Sequence, residues 1–417
     1  RRRREALDKG DVSGLLDLAK WCSGVGLKAE EKTVLKQILV ADTNHEAARR
    51  LLGYVRNESG KWVLEEELRK QKEKADEQEN LRRGLVKTKT GEWVTKEEKG
   101  FLDAGKVRRD GEWLSKEDAE KLDKGGKLVD GEVISAEEAP QIEKGLFRVE
   151  GKWVTKQEAN RLRSDWENAW RIPKGPILLR TNVDRDRAEG LLPWAEAGYR
   201  RLKDVLSTDA KPRSILLFGF KDRSEYNRYA QQLGDHHSSV YDCYFASADE
   251  ERPGAFIAGD KDRAPFSIVH VVGHVYLDRL LRTSDPKEEE VGIPPWLDEG
   301  LASYIEFFHK DLPKETRAWV IGERIAKRGG LASVKQLITY FENPSGDREP
   351  SQRMMVEAGL LIAHYVDTKD ERDRKLFSDL VKAIGGGHRK EVVKAAGALV
   401  QDAAGLEKKL QEIAGLK

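Results

Sequence analysis

The sequence predicts an α+β protein built in several parts, and three observations predict it. Gly-x-Trp phrases at 91, 111 and 151, with a Gly-x-Val variant at 131, are spaced 20 residues apart and mark small strand-strand-helix units. Short strand-like apolar runs fall between 177 and 258, and helical periodicity dominates after 265. At 417 residues the chain is also too long for one compact core, so two or three domains are expected. The patterning divides it into a helical segment at 1–58, repeats at 59–165, a mixed part at 166–310 and a helical part at 311–417.

The first segment has a tetratricopeptide-like rhythm. Leu15, Leu16, Leu18 and Ala19 lead into Trp21, Val34, Leu35, Ile38 and Leu39 follow at helical spacing, and a third helix runs from Asn44 to Gly53. There are too few units for an array. The segment reads as a helical cap.

The repeats share one grammar. Gly91-Glu92-Trp93-Val94, Gly111-Glu112-Trp113-Leu114 and Gly151-Lys152-Trp153-Val154 are joined by a variant, Gly131-Glu132-Val133-Ile134. An earlier copy is Gly60-Lys61-Trp62-Val63, separated from the rest by a charged run at 65–80. Strand-like residues flank turns such as Asp110-Gly111, a strong hairpin signal. Ser115, Thr95, Ser135 and Thr155 each stand three residues before an acid, close to a capping box. The Trp at fixed spacing reads first as each unit's core residue and second as a stacking face for a polymer or partner. No residue of the repeats carries catalytic chemistry, so they read as a spacer or docking arm.

Beyond 165 the strands expected are Ile177 to Leu179, Ser214 to Phe218, Val240 to Phe245 and Gly254 to Ala258, with helices from Asp184 to Leu206 and Ser224 to Gln232. The tail is helical, and Gly385-Gly386-Gly387 reads as a flexible break. It is no phosphate loop, because no Lys-Ser/Thr follows in register.

Charge excludes some functions. Lys and Arg number 75 against 74 Asp and Glu, a net charge of +1, which gives no global field for nucleic acid. Arg1 to Arg4 form a local basic tag. No apolar run reaches membrane-spanning length, so no membrane span is expected. Cys22 and Cys243 form neither a disulfide framework nor a CxxC motif and read as ordinary thiols. The sequence does not begin with Met, which leaves room for a removed upstream signal and export; the compartment and the oligomeric state stay open.

Chemistry concentrates in two stretches. In Ser267 to Leu277, His270 and His274 lie at i and i+4, one helical turn apart on one face, so both imidazoles can reach one ion. In Pro294-Pro295-Trp296-Leu297-Asp298-Glu299-Gly300-Leu301-Ala302-Ser303-Tyr304, a turn leads into a second helix with Glu299 near its start.

Together these stretches resemble the gluzincin zinc metallopeptidases, the thermolysin-like and aminopeptidase-like group, whose pattern is His-Glu-x-x-His followed by Trp-Leu-x-Glu-Gly. The resemblance covers about 170–370 and implies a zincin-like domain, with the metal-site helices in 166–310 and the closing helices in 311–417. It implies zinc as a cofactor, with His270, His274 and Glu299 as ligands. It also exposes a departure. The general base of the family follows the first His, and here that position is Val271, which can neither take nor give a proton. The acid that in some members stands four residues after the ligand Glu is here Ser303. Tyr304 and Tyr365 join Ser303 as residues that could support the site.

The implied function is a pseudopeptidase that binds a protein or peptide ligand, with zinc retained or lost. The alternative is an active metallopeptidase with an unorthodox base. A third reading is a structural protein whose ligands are relics. Asp298 and Glu306 are the nearest carboxylates for a substitute base, with Asp298 expected to face away because it sits about 100° round the helix from Glu299. His236, His237 and His364 are remoter candidates.

Overall fold

In a computed structural model of the protein, residues 11–57, 59–82, 85–109, 112–207, 215–232, 243–245, 253–282, 286–342 and 348–415 are described. The Arg1–Arg4 run, the Asp110-Gly111 turn, Ser214, His236, His237 and the start of the strand expected at Val240 lie outside them, as do the side chains of Thr95 and Cys243. Two compact units divide the chain at Arg82 and Arg83.

In the first unit, α1 (Val12–Gly24), α2 (Lys28–Ala41) and α3 (Glu46–Leu51) bury Leu15, Leu18, Ala19 and Cys22 against Val34, Leu35, Ile38 and Ala48. Asp11 starts α1 by accepting from the Gly14 amide at 2.9 Å. A hairpin of β1 (Tyr54–Arg56) and β2 (Trp62–Leu64) follows. The charged run then folds as α4 (Glu65–Arg82), with ion pairs such as Lys70–Glu66 one turn apart.

The second unit opens with four hairpins: β3 (Leu85–Lys87) with β4 (Trp93–Thr95), β5 (Val107–Arg109) with β6 (Glu112–Leu114), β7 (Lys127–Val129) with β8 (Glu132–Ile134), and β9 (Phe147–Val149) with β10 (Lys152–Val154). Each precedes a short helix, respectively α5 (Lys96–Asp103), α6 (Lys116–Asp123), α7 (Ala139–Glu143) and α8 (Lys156–Leu162). Asp130-Gly131 turns with φ of 53° and 80°, and Glu150-Gly151 with 49° and 76°. Two consecutive positive φ values are what a tight hairpin turn requires, and Gly at the second position adopts one without strain. Ser115 and Thr155 cap their helices by accepting from the amides three residues on.

The tryptophans of these hairpins are half-buried rather than core. The deeply buried residues are the neighbours Leu114, Val133 and Ile134 and the helix alanines Ala119, Ala139 and Ala159. A two-stranded hairpin has no second layer to cover an indole, and here a cation does part of the covering. Directly across the ladder stand Arg56 and Trp62, Lys87 and Trp93, Arg108 and Trp113, Arg148 and Trp153. Where Trp gives way to Val133, its partner is Leu128. The cations lie over the rings at 4.8 Å for Arg56, 5.4 Å for Lys87 and 5.9 Å for Arg108.

The last two modules are fastened to the main body of the unit. Val149 and Ala159 belong to the main core, Arg185 pairs with Asp130, Lys156 meets Asp186 at 2.9 Å, and Asn160 accepts from the Arg185 amide at 2.9 Å.

The rest of the unit is a mixed five-stranded sheet with helices. The strand order is β11 (Trp170–Lys174), β12 (Ile177–Thr181), β13 (Ile215–Phe220), β15 (Gly254–Ile257), β14 (Cys243–Phe245). The three central strands are parallel and both edges antiparallel. β11 is an addition to the strands expected from sequence. Pro173 argues against a central strand but is tolerated at the edge, where β11 lies. The helices are α9 (Arg185–Leu206), α10 (Arg223–Gln232), α11 (Ala264–Leu281), α12 (Pro286–Glu289), α13 (Pro295–Phe307), α14 (Lys314–Arg324), α15 (Val334–Glu342), α16 (Arg348–Asp367), α17 (Glu371–Gly386), α18 (Arg389–Leu399) and α19 (Ala403–Ala414). The architecture is a helix-rich mixture of helix and small sheets, compatible with α+β. Among the described residues no helix is long and apolar enough to cross a membrane. The glycine run at 385–387 is no flexible break: Gly385 and Gly386 complete α17, and Gly387, with φ of 71°, ends it.

One helix organises this core. α11 is buried on nearly every side, as its apolar sequence dictates. A Cβ on Gly254 of β15 would fall 2.0 Å from Val271 Cγ1, and one on Gly273 would fall 2.7 Å from Ala302 Cα of α13. The sheet and the second helix therefore approach α11 at two places only glycine permits.

Candidate metal centre

α11 carries His270 and His274 on the face turned toward α13, and α13 supplies Glu299. One donor atom from each of the three residues lies within 4.8 Å of the others, so the cluster could hold a metal ion. The two Nε2 atoms are 3.1 Å apart, and His270 Nε2 stands 3.3 Å from Glu299 Oε2. Ligands held tetrahedrally at about 2.0–2.1 Å from one ion would stand about 3.3 Å apart. These two edges match that spacing.

The outer nitrogens are also held. His270 Nδ1 shares a hydrogen bond with Glu306 Oε2 at 2.8 Å, while His274 Nδ1 stands 2.9 Å from Asp298 Oδ2 as an ion-pair contact that lacks hydrogen-bond alignment. Each imidazole thus has a carboxylate behind it, the arrangement that fixes ring orientation and raises ligand basicity in metal sites. Asp298 therefore does not face away: from the first turn of α13 it reaches sideways to His274. Glu306, two turns beyond Glu299 on the same face, reaches His270.

The electrostatics favour added positive charge. Burial disfavours a charged His270, yet the Glu299 and Glu306 carboxylates outweigh it and push the imidazole up to about 10. Burial likewise opposes the charge on His274, and Asp298 and Glu299 raise it nonetheless. Burial acts to raise Glu299, but the two imidazoles hold it below its usual range, whereas burial pushes Glu306 up. Two imidazoles whose Nε2 atoms are 3.1 Å apart cannot both carry a proton there, since that contact needs one bare nitrogen. A divalent cation between them meets the demand of the carboxylates without this conflict. Moreover, Glu299 Oε2 is buried and accepts no hydrogen bond among the described residues. The donor set fits a divalent metal ion.

Other expected residues fall elsewhere. Val271, 1% exposed, turns from the histidine face and packs its methyl against Gly254. Ser303 is fully buried beside Gly359 of α16, its hydroxyl without a hydrogen-bond partner among the described residues. Tyr304 is buried edge-on to His309, and burial raises its phenol. The Tyr365 hydroxyl donates to the Leu399 carbonyl. His364 is tied to Asp373 at 2.9 Å. Neither Ser303 nor Tyr365 has a hydrogen bond to the histidines. The signal for Glu306 was its seven-residue separation from Glu299; for Asp298 it was adjacency to Glu299, and angular position alone pointed the wrong way.

No protein-family model matches this chain, and no curated protein matches it.

Proposed function

We propose that the second unit holds a zincin-like domain of gluzincin type that has kept its zinc ligands and lost its general base, and that it acts as a pseudopeptidase binding a peptide or protein. The observation that carries this reading is the contrast within one helix. His270 and His274 converge on Glu299, each backed by a carboxylate, while Val271 packs on the sheet where the family places an acid.

The mixed sheet with an antiparallel edge strand beside α11 supports the same reading, since among the described residues β14 has only β15 as a strand neighbour. An extended peptide can add to such an edge through its backbone. When bound, zinc supplies Lewis acidity toward a carbonyl oxygen. In this chain His270, His274 and Glu299 would hold it, and Glu306 and Asp298 would orient the two imidazoles. Val271 offers no proton acceptor. The test is zinc content by elemental analysis on protein purified without added metal. Near one zinc per chain supports the retained site, and its absence would reduce the cluster to an inherited scaffold.

A second reading, an active metallopeptidase, rests on Asp298, whose side chain is 36% exposed at the cluster's edge. It requires Asp298 to leave His274 and act as base. Peptide hydrolysis by the unmodified chain that Asp298→Asn abolishes without loss of zinc would establish it.

A further inference from the structure

A small pocket opens between the third and fourth hairpin modules. Its apolar wall includes Ile134, Ile142, Phe147 and Trp153, and its polar wall includes Arg148 and Arg163. The third module is also the one in which the cation and Trp pair gives way to Leu128 and Val133.

Two arginines decide what the pocket can hold. The Nε atoms of Arg148 and Arg163 are both buried and find no acceptor among the described residues. Both Nη atoms of Arg163 are committed, and one Nη of Arg148 faces an acid. Arg163 donates to the carbonyls of Arg148 at 3.0 Å and Asn168 at 3.4 Å, and Arg148 Nη1 stands 3.6 Å from Glu138. Glu138 in turn takes a hydrogen bond from the Trp153 indole, which holds that wall in place. The pocket's own acids do not satisfy the donors. Asp130 is engaged by Arg185, and Glu132, 46% exposed, stays 3.9 Å from Arg163. A buried donor left unpaired is costly and asks for an acceptor.

We propose that this pocket receives the carboxyl end of a polypeptide whose last residue is apolar. The carboxylate takes the two unpaired N–H groups, and the last side chain takes the apolar wall. A peptide fits better than a free alkyl acid because both flanking hairpins are two-stranded, so among the described residues their outer edges have no further strand neighbour. The residues leading to the carboxylate can pair there, combining strand addition with capture of a chain end. This pocket is independent of the metal centre.

The probe is acetyl-Gly-Ser-Leu-Leu with a free carboxylate, compared with its C-terminal amide and with dodecanoate. Binding is followed through the Trp153 indole NMR signal, assigned with Trp153→Phe. The acid peptide shifts that signal, the amide binds at least about tenfold more weakly, and Arg148→Gln removes the preference for the acid. Arg163→Gln does the same where it folds; Arg148, at 31% side-chain exposure, is the safer variant, with unchanged circular dichroism as its control. Equal binding of acid and amide, no shift with the acid peptide, or displacement of the peptide by more tightly bound dodecanoate would each overturn the proposal.

Discussion

At the scale of single residues, the proposed metal site depends on groups outside the cluster of His270, His274 and Glu299. Glu306 and Asp298 sit behind His270 and His274, and removing such a partner typically weakens metal affinity by about 10- to 100-fold. Glu306→Gln and Asp298→Asn should each do so in a competition titration with a zinc chelator, while Ser303→Ala should leave affinity unchanged. Equal effects at all three positions would contradict the assigned partners. A second residue-scale prediction concerns Glu357 on α16. Burial raises this carboxyl from 4.5 to about 7, although it accepts from the Ala332 amide and faces Arg353. A carboxyl whose folded-state value is raised binds its proton more tightly in the folded chain, so its ionisation works against folding as pH rises. Denaturant titrations should therefore show the stability of Glu357→Gln relative to the unmodified chain improving from about 4.5 through about 7. A flat difference would contradict this.

At the scale of elements, the site exists because α11 and α13 cross at almost backbone contact. Gly273 sets that distance, since any Cβ there meets Ala302 at 2.7 Å. Gly273→Val should force the helices apart, cost about 1–3 kcal/mol or more in a denaturant titration, and lower zinc affinity together with stability. Retention of both would show that the crossing can relax. This crossing also explains what sequence could and could not disclose. His270 and His274 were legible because their spacing is set within one helix, and Glu299 because it follows a Trp-Leu-x-Glu-Gly phrase. The roles of Asp298 and Glu306 depend on how two helices meet, which no periodicity within either helix records. Likewise the hairpin turns were written in residues such as Asp130-Gly131, whereas β11 was hidden by Pro173, and the glycines at 385–387 suggested a break where α17 runs to its cap. The pairing of Trp113 with Arg108 or Trp153 with Arg148 lay in the sequence but needed the ladder register to be read.

At the scale of the whole molecule, the chain joins small hairpin modules to a helix-rich domain with a cluster that could hold a metal ion. The third and fourth modules share contacts with that domain through Arg185, Asp186 and the Val149 and Ala159 side chains, so they belong to its scaffold. The proposed role, a binding protein on a peptidase frame, turns on one position. In that reading Val271 occupies the place of the general base, and loss of such a group typically costs about 10²- to 10⁴-fold in rate. Zinc content and peptide hydrolysis should therefore be measured together on the unmodified protein and on Val271→Glu. The account predicts near-stoichiometric zinc in both proteins and hydrolysis in the variant alone; zinc-dependent hydrolysis by the unmodified chain, or no zinc in either protein, would contradict it.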